Sequence, residues 1–467
     1  MTTFKVDEIF IDEAVNASLL IVDSVSSGGG SGAQGAIGPQ GVTGPQGSVG
    51  PQGSISINGS SYGNYIYWND TGAGAWEVGS TNVHIGSNAG TYTQGTNAIA
   101  IGSITGYNNQ GENAIAIGSS TGRNLQGLNS IAIGDHSGEN TQGISAISIG
   151  NQTGTNLQGE YTIAIGALSG NSNQGVSAVA IGTGAGAFNQ GVESIAVGRF
   201  AGYRNQASGA IAIGYNSGTS QQGESAVAIG VNTGFSNQED YSIAIGFQAG
   251  QINQNIYSIA IGFNAGNTTQ GDNCVALGSN SGGTLQGSKS IAIGVDSGSN
   301  NQGSYSIAIG AITGNIDQGD EAIAIGDEAG RFNQNYGSIA IGYQAGQTQQ
   351  GEAALAIGYN SGSFSQGINA IAIGNNAGNS QQGANSIAIG NYAGQTLQVT
   401  NSIVINATSS WALNNSYSTQ SVCYVNPIRN VTGITVVPVD VTFPPNNFYN
   451  VAYNPSSGEL IYYHPSV

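Results

Sequence analysis

Between Val83 and Asn406 the chain repeats one 16-residue pattern twenty times without a gap. Gly recurs at every sixteenth position from Gly86, Gly102 and Gly118 to Gly390, and again from Gly90 and Gly106 to Gly394. Gln recurs in the same way from Gln94, Gln110 and Gln126 to Gln398. A fixed short period marks a stacked solenoid, in which each unit buries its faces only against its neighbours. This outweighs the usual expectation that 467 residues divide into several globular domains.

Counting from the first invariant Gly as position 0, position −1 is Ile in 19 of 21 copies and position −3 is always Ile, Val or Leu, as at Ile115 and Ile117. Position −2 is Ala in 18 of 21 copies, and position −4 is small. Alternation with period two predicts a strand with one branched aliphatic face and one face of small residues. The glycines at 0 and +4 bracket a tight corner, and a second short strand ends at the Gln, which Gly follows in 15 of 20 copies. The period is too short for a helical crossover, so successive coils pair in parallel. Twenty coils at a strand spacing of about 4.8 Å make a rod of roughly 95 Å.

The fold class is therefore all-β, a parallel β-roll or β-solenoid. The Gln column predicts a ladder of stacked amides, or alternatively a side chain that satisfies a turn carbonyl in each coil. The small-residue face, flat and uncharged, is expected to line a three-fold axis, with the aliphatics inside the coil. The inverse assignment is the alternative.

Five segments follow from composition. Residues 1–31 read as a docking segment and a Gly/Ser linker. Residues 32–53 are collagen-like, with Gly32, Gly35, Gly38, Gly41, Gly44, Gly47, Gly50 and Gly53 in strict thirds and Pro39, Pro45 and Pro51 each after a Gly. Only Gly fits at the axis of three polyproline-II chains, so this spacing predicts a short triple helix and a homotrimer. Residues 54–82, with Tyr62, Tyr65, Tyr67, Trp68 and Trp76, predict an aromatic β cap on the first coil. Residues 83–406 are the repeat. Residues 407–467 predict a β-rich terminal cap, with strands at 421–426, 434–443, 448–453 and 459–463.

Charged residues make up only 7% of the chain, so Asn, Gln, Ser and Thr must cover the surface. The net charge is −18, and the seven basic residues, Lys5, Arg123, Arg199, Arg204, Lys289, Arg331 and Arg429, are too scattered for a basic patch. Nucleic acid is thereby not expected as a partner. Cys274 occupies a column of small residues, which predicts a buried free thiol; at Cys423 an intermolecular bridge is the alternative to one. Residues 1–25 carry Asp7, Glu8, Asp12 and Glu13, the wrong charge for a secretory signal. No apolar run is long enough to span a bilayer. The expectation is synthesis in the cytosol without a signal peptide, and no membrane insertion.

No chemistry of catalysis stands out. His84, His136 and His464 are the only histidines, and no metal-ligand spacing occurs. The neighbouring carboxylates Glu239 and Asp240, and Asp327 and Glu328, are of the type that hydrolyses glycosides, but they fall in turns where adjacent side chains point apart. No catalytic residue, metal or cofactor is expected.

The strings Ser-Ile-Ala-Ile-Gly at 290–294, 306–310 and 386–390 resemble the head repeats of trimeric autotransporter adhesins, the YadA-type parallel β-roll. That resemblance implies a trimer and surface adhesion. The 16-residue period is longer than the usual adhesin head repeat. The repeat behind a collagen-like run, with Tyr424–Asn430 and Tyr453–Tyr462 near the end, also resembles fibre proteins of large DNA viruses and phages. Together these imply a non-catalytic trimeric fibre or adhesin that decorates a virion or similar particle. One end would attach to the particle, and a host surface glycan or protein would be the partner. The alternatives are a solenoid that binds ice or a polysaccharide, and a glycan-depolymerase spike.

Overall fold

In a computed structural model of the chain, the described residues are 57, 59, 61–69, 74–408, 423–426, 439–443, 447–454 and 459–463. The docking segment 1–31 and the collagen-like run 32–53 lie outside them.

From Val83 to Gln382, each coil gives one three-residue strand to each of two parallel sheets. The first sheet is built from the Ile-Ala-Ile strands, such as Ile115–Ile117 and Ile131–Ile133. The second is built from strands ending on the invariant Gln, such as Asn108–Gln110 and Asn124–Gln126. Like pairs with like: Ile115 opposes Ile131, Ala116 opposes Ala132, and Gln110 opposes Gln126. The sequence period thus becomes the register of both sheets. All described coils are linked this way, and no helix occurs among the described residues.

The first sheet runs past the last glycine copy. Ile387–Gly390 pairs with Ile403–Asn406, which pairs in parallel with Cys423–Asn426. An antiparallel meander of Val439–Phe443, Asn447–Asn454 and Glu459–Tyr463 follows, joined back through Tyr424 opposite Glu459.

The two faces of the first sheet are the reverse of the expected assignment. Ala100, Ala116, Ala132 and Ala196 are completely buried, whereas Ile165, Ile181 and Ile213, each directly after such an alanine, are 37% exposed. The small residues fill the coil and the branched aliphatics face outward. The reason is the separation of the sheets. The side chain of Gln126 spans the gap, donating from Nε2 to the carbonyl of Ile115 on the opposite strand at 2.9 Å. A space bridged by one side chain leaves no room for a second layer of Ile. The interior therefore consists of Ala, Ser, Thr and the flat Gln amide, with alanines such as Ala180, Ala185, Ala196 and Ala201 in mutual contact. In the final coil Val404 takes the alanine place and is also buried.

A two-stranded hairpin, Ile66–Asn69 against Ala75–Val78, precedes the first coil, with Trp68 opposite Trp76 and their rings 5.5 Å apart. The Tyr65 hydroxyl donates to the Asn82 carbonyl at 2.8 Å and accepts from the His84 amide at 3.0 Å. The Tyr67 ring meets the His84 ring edge-on at 4.2 Å. His84 thus replaces the first alanine because an aromatic hairpin, not another coil, lies over it.

Candidate functional site

The invariant Gly and Gln residues form one interlocked unit inside the roll. A Cβ on Gly122 would sit 2.7 Å from the Gln126 Oε1, so the second Gly leaves the space that the Gln amide fills. A Cβ on Gly118 would lie 2.2 Å from the carbonyl oxygen of Gly134 in the next coil, at a φ of +139°. The same holds at Gly86, Gly90, Gly102 and Gly106, whose neighbours are Gly102, Gln94, Gly118 and Gln110.

The Gln amide makes both kinds of contact that the column suggests. Gln254 donates to the Ile243 carbonyl at 2.8 Å and to Gln270 Oε1 at 3.1 Å. Side-chain bonds of this kind run unbroken from Gln206 to Gln302 and again from Gln318 to Gln398. These residues carry architecture and present nothing to a ligand.

What the roll presents outward comes from the other columns. The Ile, Val and Leu residues form two parallel files along the first sheet, partly exposed in strand after strand. Positions +2 and +11 at the corners, and +7 in the middle of each Gln strand, hold a left-handed backbone in residues that are mostly not Gly, for example Asn216, Asn273 and Asn237 at φ 52°, 56° and 54°. Asn tolerates this region better than other residues with a side chain, which explains its abundance at the corners. Its amides also join coil to coil on the outside: Asn173 donates to Asn189, and Asn189 to Asn205, each at 2.9 Å. Aromatic residues stack in the same fashion, Phe247 on Phe263 at 5.3 Å and Tyr343 on Tyr359 at 5.1 Å.

Among the described residues, the titratable groups singled out in the sequence are not brought together; His464 lies outside the described residues. The Asp240 carboxylate accepts the Glu224 amide at 2.7 Å. Glu328 contacts Gln347, accepts from Gln344 at 3.0 Å and pairs with Arg331 at 3.4 Å. His136 lies beside Asp135, far along the chain from His84. Among the described residues, no three His, Cys, Asp or Glu residues gather as a metal site would require. Cys274 is buried, and burial pushes its thiol pKa up. Cys423 is half-buried with its pKa shifted in the same direction by the same cause. In the hairpin, the hydrogen bond to Glu77 is the main cause that raises the Tyr67 pKa to about 12, and the same bond lowers that of Glu77.

Sequence reasoning missed two outward features. One is the left-handed corner columns, for which the Asn enrichment was the available signal. The other is the placement of Arg199 and Arg204 on either side of one corner. Comparison with curated proteins and with solved structures gives no match. The YadA head domain repeat matches residues 174–201, 203–233, 350–377 and 365–393. Those stretches cover both sheets of the roll, the Ile-Ala-Ile strands and the Gln strands alike, so the solenoid carries repeats of the head type found in trimeric autotransporter adhesins.

Proposed function

We propose that three copies of this chain assemble into an adhesin-like fibre that decorates a virion or similar particle and attaches it to a host surface, without catalysis. The observation that carries this is the outward aliphatic face. Two files of Ile, Val and Leu continue from Val83 to Ile405 with no charged residue among them. A contiguous apolar surface of that extent marks an association site. Copies of the same face would cover it around an axis, and the Gly-x-y run at 32–53 supports three copies over two. The head-type repeats at 174–233 and 350–393 support an adhesin.

Sedimentation equilibrium of the full chain tests the assembly: the expected mass is three times the 46.9 kDa protomer. Replacing Ile213, Ile229 and Ile245 with Asp should lower that mass. A wild-type monomer would remove the basis of the reading. Labelled chain applied to host cells, and labelled antibodies applied to particles, test attachment and location separately.

A further inference from the structure

One coil differs from all the others at its first corner. Its sequence, Arg199-Phe200-Ala201-Gly202-Tyr203-Arg204, places two of the chain's seven basic residues and two aromatics within six positions. The coil beneath is shaped to receive them. Gly184 is the only Gly in its column (position +2), and Ala187 the only Ala in its own (position +5). A Cβ on Gly184 would lie 2.6 Å from the Phe200 ring, so the ring rests where any other residue would put a side chain. Tyr203 meets Phe200 edge-on at 5.4 Å and Phe188 edge-on at 5.4 Å, which makes an aromatic cluster across two coils.

The guanidinium groups lie over individual rings of this cluster. Arg199 sits 4.9 Å from the centre of the Phe200 ring, and Arg204 sits 5.3 Å from that of Tyr203 and 5.8 Å from that of Phe188. Among the described residues, neither arginine has a carboxylate partner, although the chain carries 25 acidic residues. Arg123 and Arg331, by contrast, are paired with Glu139 and Glu328. Beside Arg204 a groove of about 290 Å³ is lined by Phe188, Asn189, Arg204 and Asn205. It opens next to a longer groove whose wall is the amide column Asn205, Gln221, Asn237 and Asn253, with Glu239 and Asp240 also lining it.

These groups match one class of ligand. A pyranose stacks its C–H face on an aromatic ring, its hydroxyls exchange hydrogen bonds with carboxamides, and a carboxylate or sulfate on it pairs with a guanidinium in a forked geometry. Stacking on rings also holds the guanidiniums in place, so less freedom is lost on binding. We propose that Phe188, Asn189, Phe200, Tyr203, Arg199 and Arg204 form a binding site for an anionic sugar of a host-surface glycan. The site rests on the attachment reading above and gives it a location and a ligand chemistry.

The test uses the full-length chain, with sialyllactose, a heparin hexasaccharide and lactose as probes in titration calorimetry. At least one anionic probe should bind, and lactose should bind at least about ten-fold more weakly. Binding of sialyllactose alone assigns a carboxylated sugar, and binding of heparin alone a sulfated one. R199Q/R204Q should weaken anionic binding about ten-fold or more with unchanged circular dichroism and sedimentation, while R331Q should keep it. Equal binding by the double variant, equal binding of lactose, or no binding of either anionic probe overturns the site. Cell attachment separates the two proposals: a double variant that adheres like wild type sinks this site alone, whereas wild type that adheres to no host surface sinks the attachment reading.

Discussion

At the scale of the residue, the Gln column shows how a polar side chain serves as core. Gln270 donates to the Ile259 carbonyl at 2.9 Å and to Gln286 Oε1 at 3.0 Å, while accepting from Gln254 at 3.1 Å. Gln270→Ala would orphan these partners and leave a void under Gly266. The expected cost is about 2–4 kcal/mol, read as a fall in the denaturation midpoint. Ile312 raises the opposite case. It is β-branched, yet its corner holds it at a φ of 53°. Ile312→Asn should therefore stabilise the chain by about 0.5–1 kcal/mol in the same measurement. The three invariant letters were legible as architecture because their spacing alone demands it. The left-handed positions were not, because their columns accept Leu125 within a Gln strand, and Tyr161 and Glu193 at corners, as well as Asn, and a tolerated strain leaves no invariant letter.

At the scale of the element, the hairpin over the first coil is fastened by ionisable groups. The Tyr67 hydroxyl donates to Glu77 at 2.7 Å and the Asn69 amide donates to the same carboxylate at 3.0 Å. Glu77 has its pKa lowered by those bonds, so its contribution is complete above the ordinary Glu value of 4.5 and is lost as pH falls below it, through the depressed value. Tyr67 has its pKa raised to about 12, so its contribution is complete below pH 10 and is lost as pH climbs through 12. Fluorescence of Trp68 and Trp76 should report an acid transition in wild type, and E77Q should abolish it. An acid-insensitive wild-type signal would contradict this assignment. Strand alternation in the repeat was readable from period two, but which face goes inside was not. Hydrophobicity sends Ile inward, and only the narrow gap bridged by Gln126 reverses the order.

At the scale of the whole molecule, identical coils make length a free variable. Deleting Ile291–Ser306 removes one full period and brings Ile307 opposite Val275, in the register its neighbours already use. Such a variant should keep its circular dichroism spectrum and the number of chains in its assembly. Deleting only Ile291–Gly298 would instead place a Gln strand where an Ile-Ala-Ile strand belongs. That variant should lose cooperative unfolding. The solenoid was legible at this scale from the period, and the aromatic cap from the Tyr and Trp residues ahead of it. The terminal meander was legible in its last strands, with the structure placing them at 447–454 and 459–463.

The same uniformity means that the roll cannot count. Every coil offers its neighbour the same carbonyls, amides and Gln acceptor, so a coil from one chain is as good a partner as the next coil of its own. Nothing within the repeat tells a growing stack where to stop. That information rests with the two ends, where Tyr65 occupies the carbonyl of Asn82 and the amide of His84, and where Cys423–Asn426 turns the last parallel rung over to an antiparallel sheet. These few residues are the punctuation of the molecule. A chain without its hairpin should join end to end into open filaments, visible by electron microscopy.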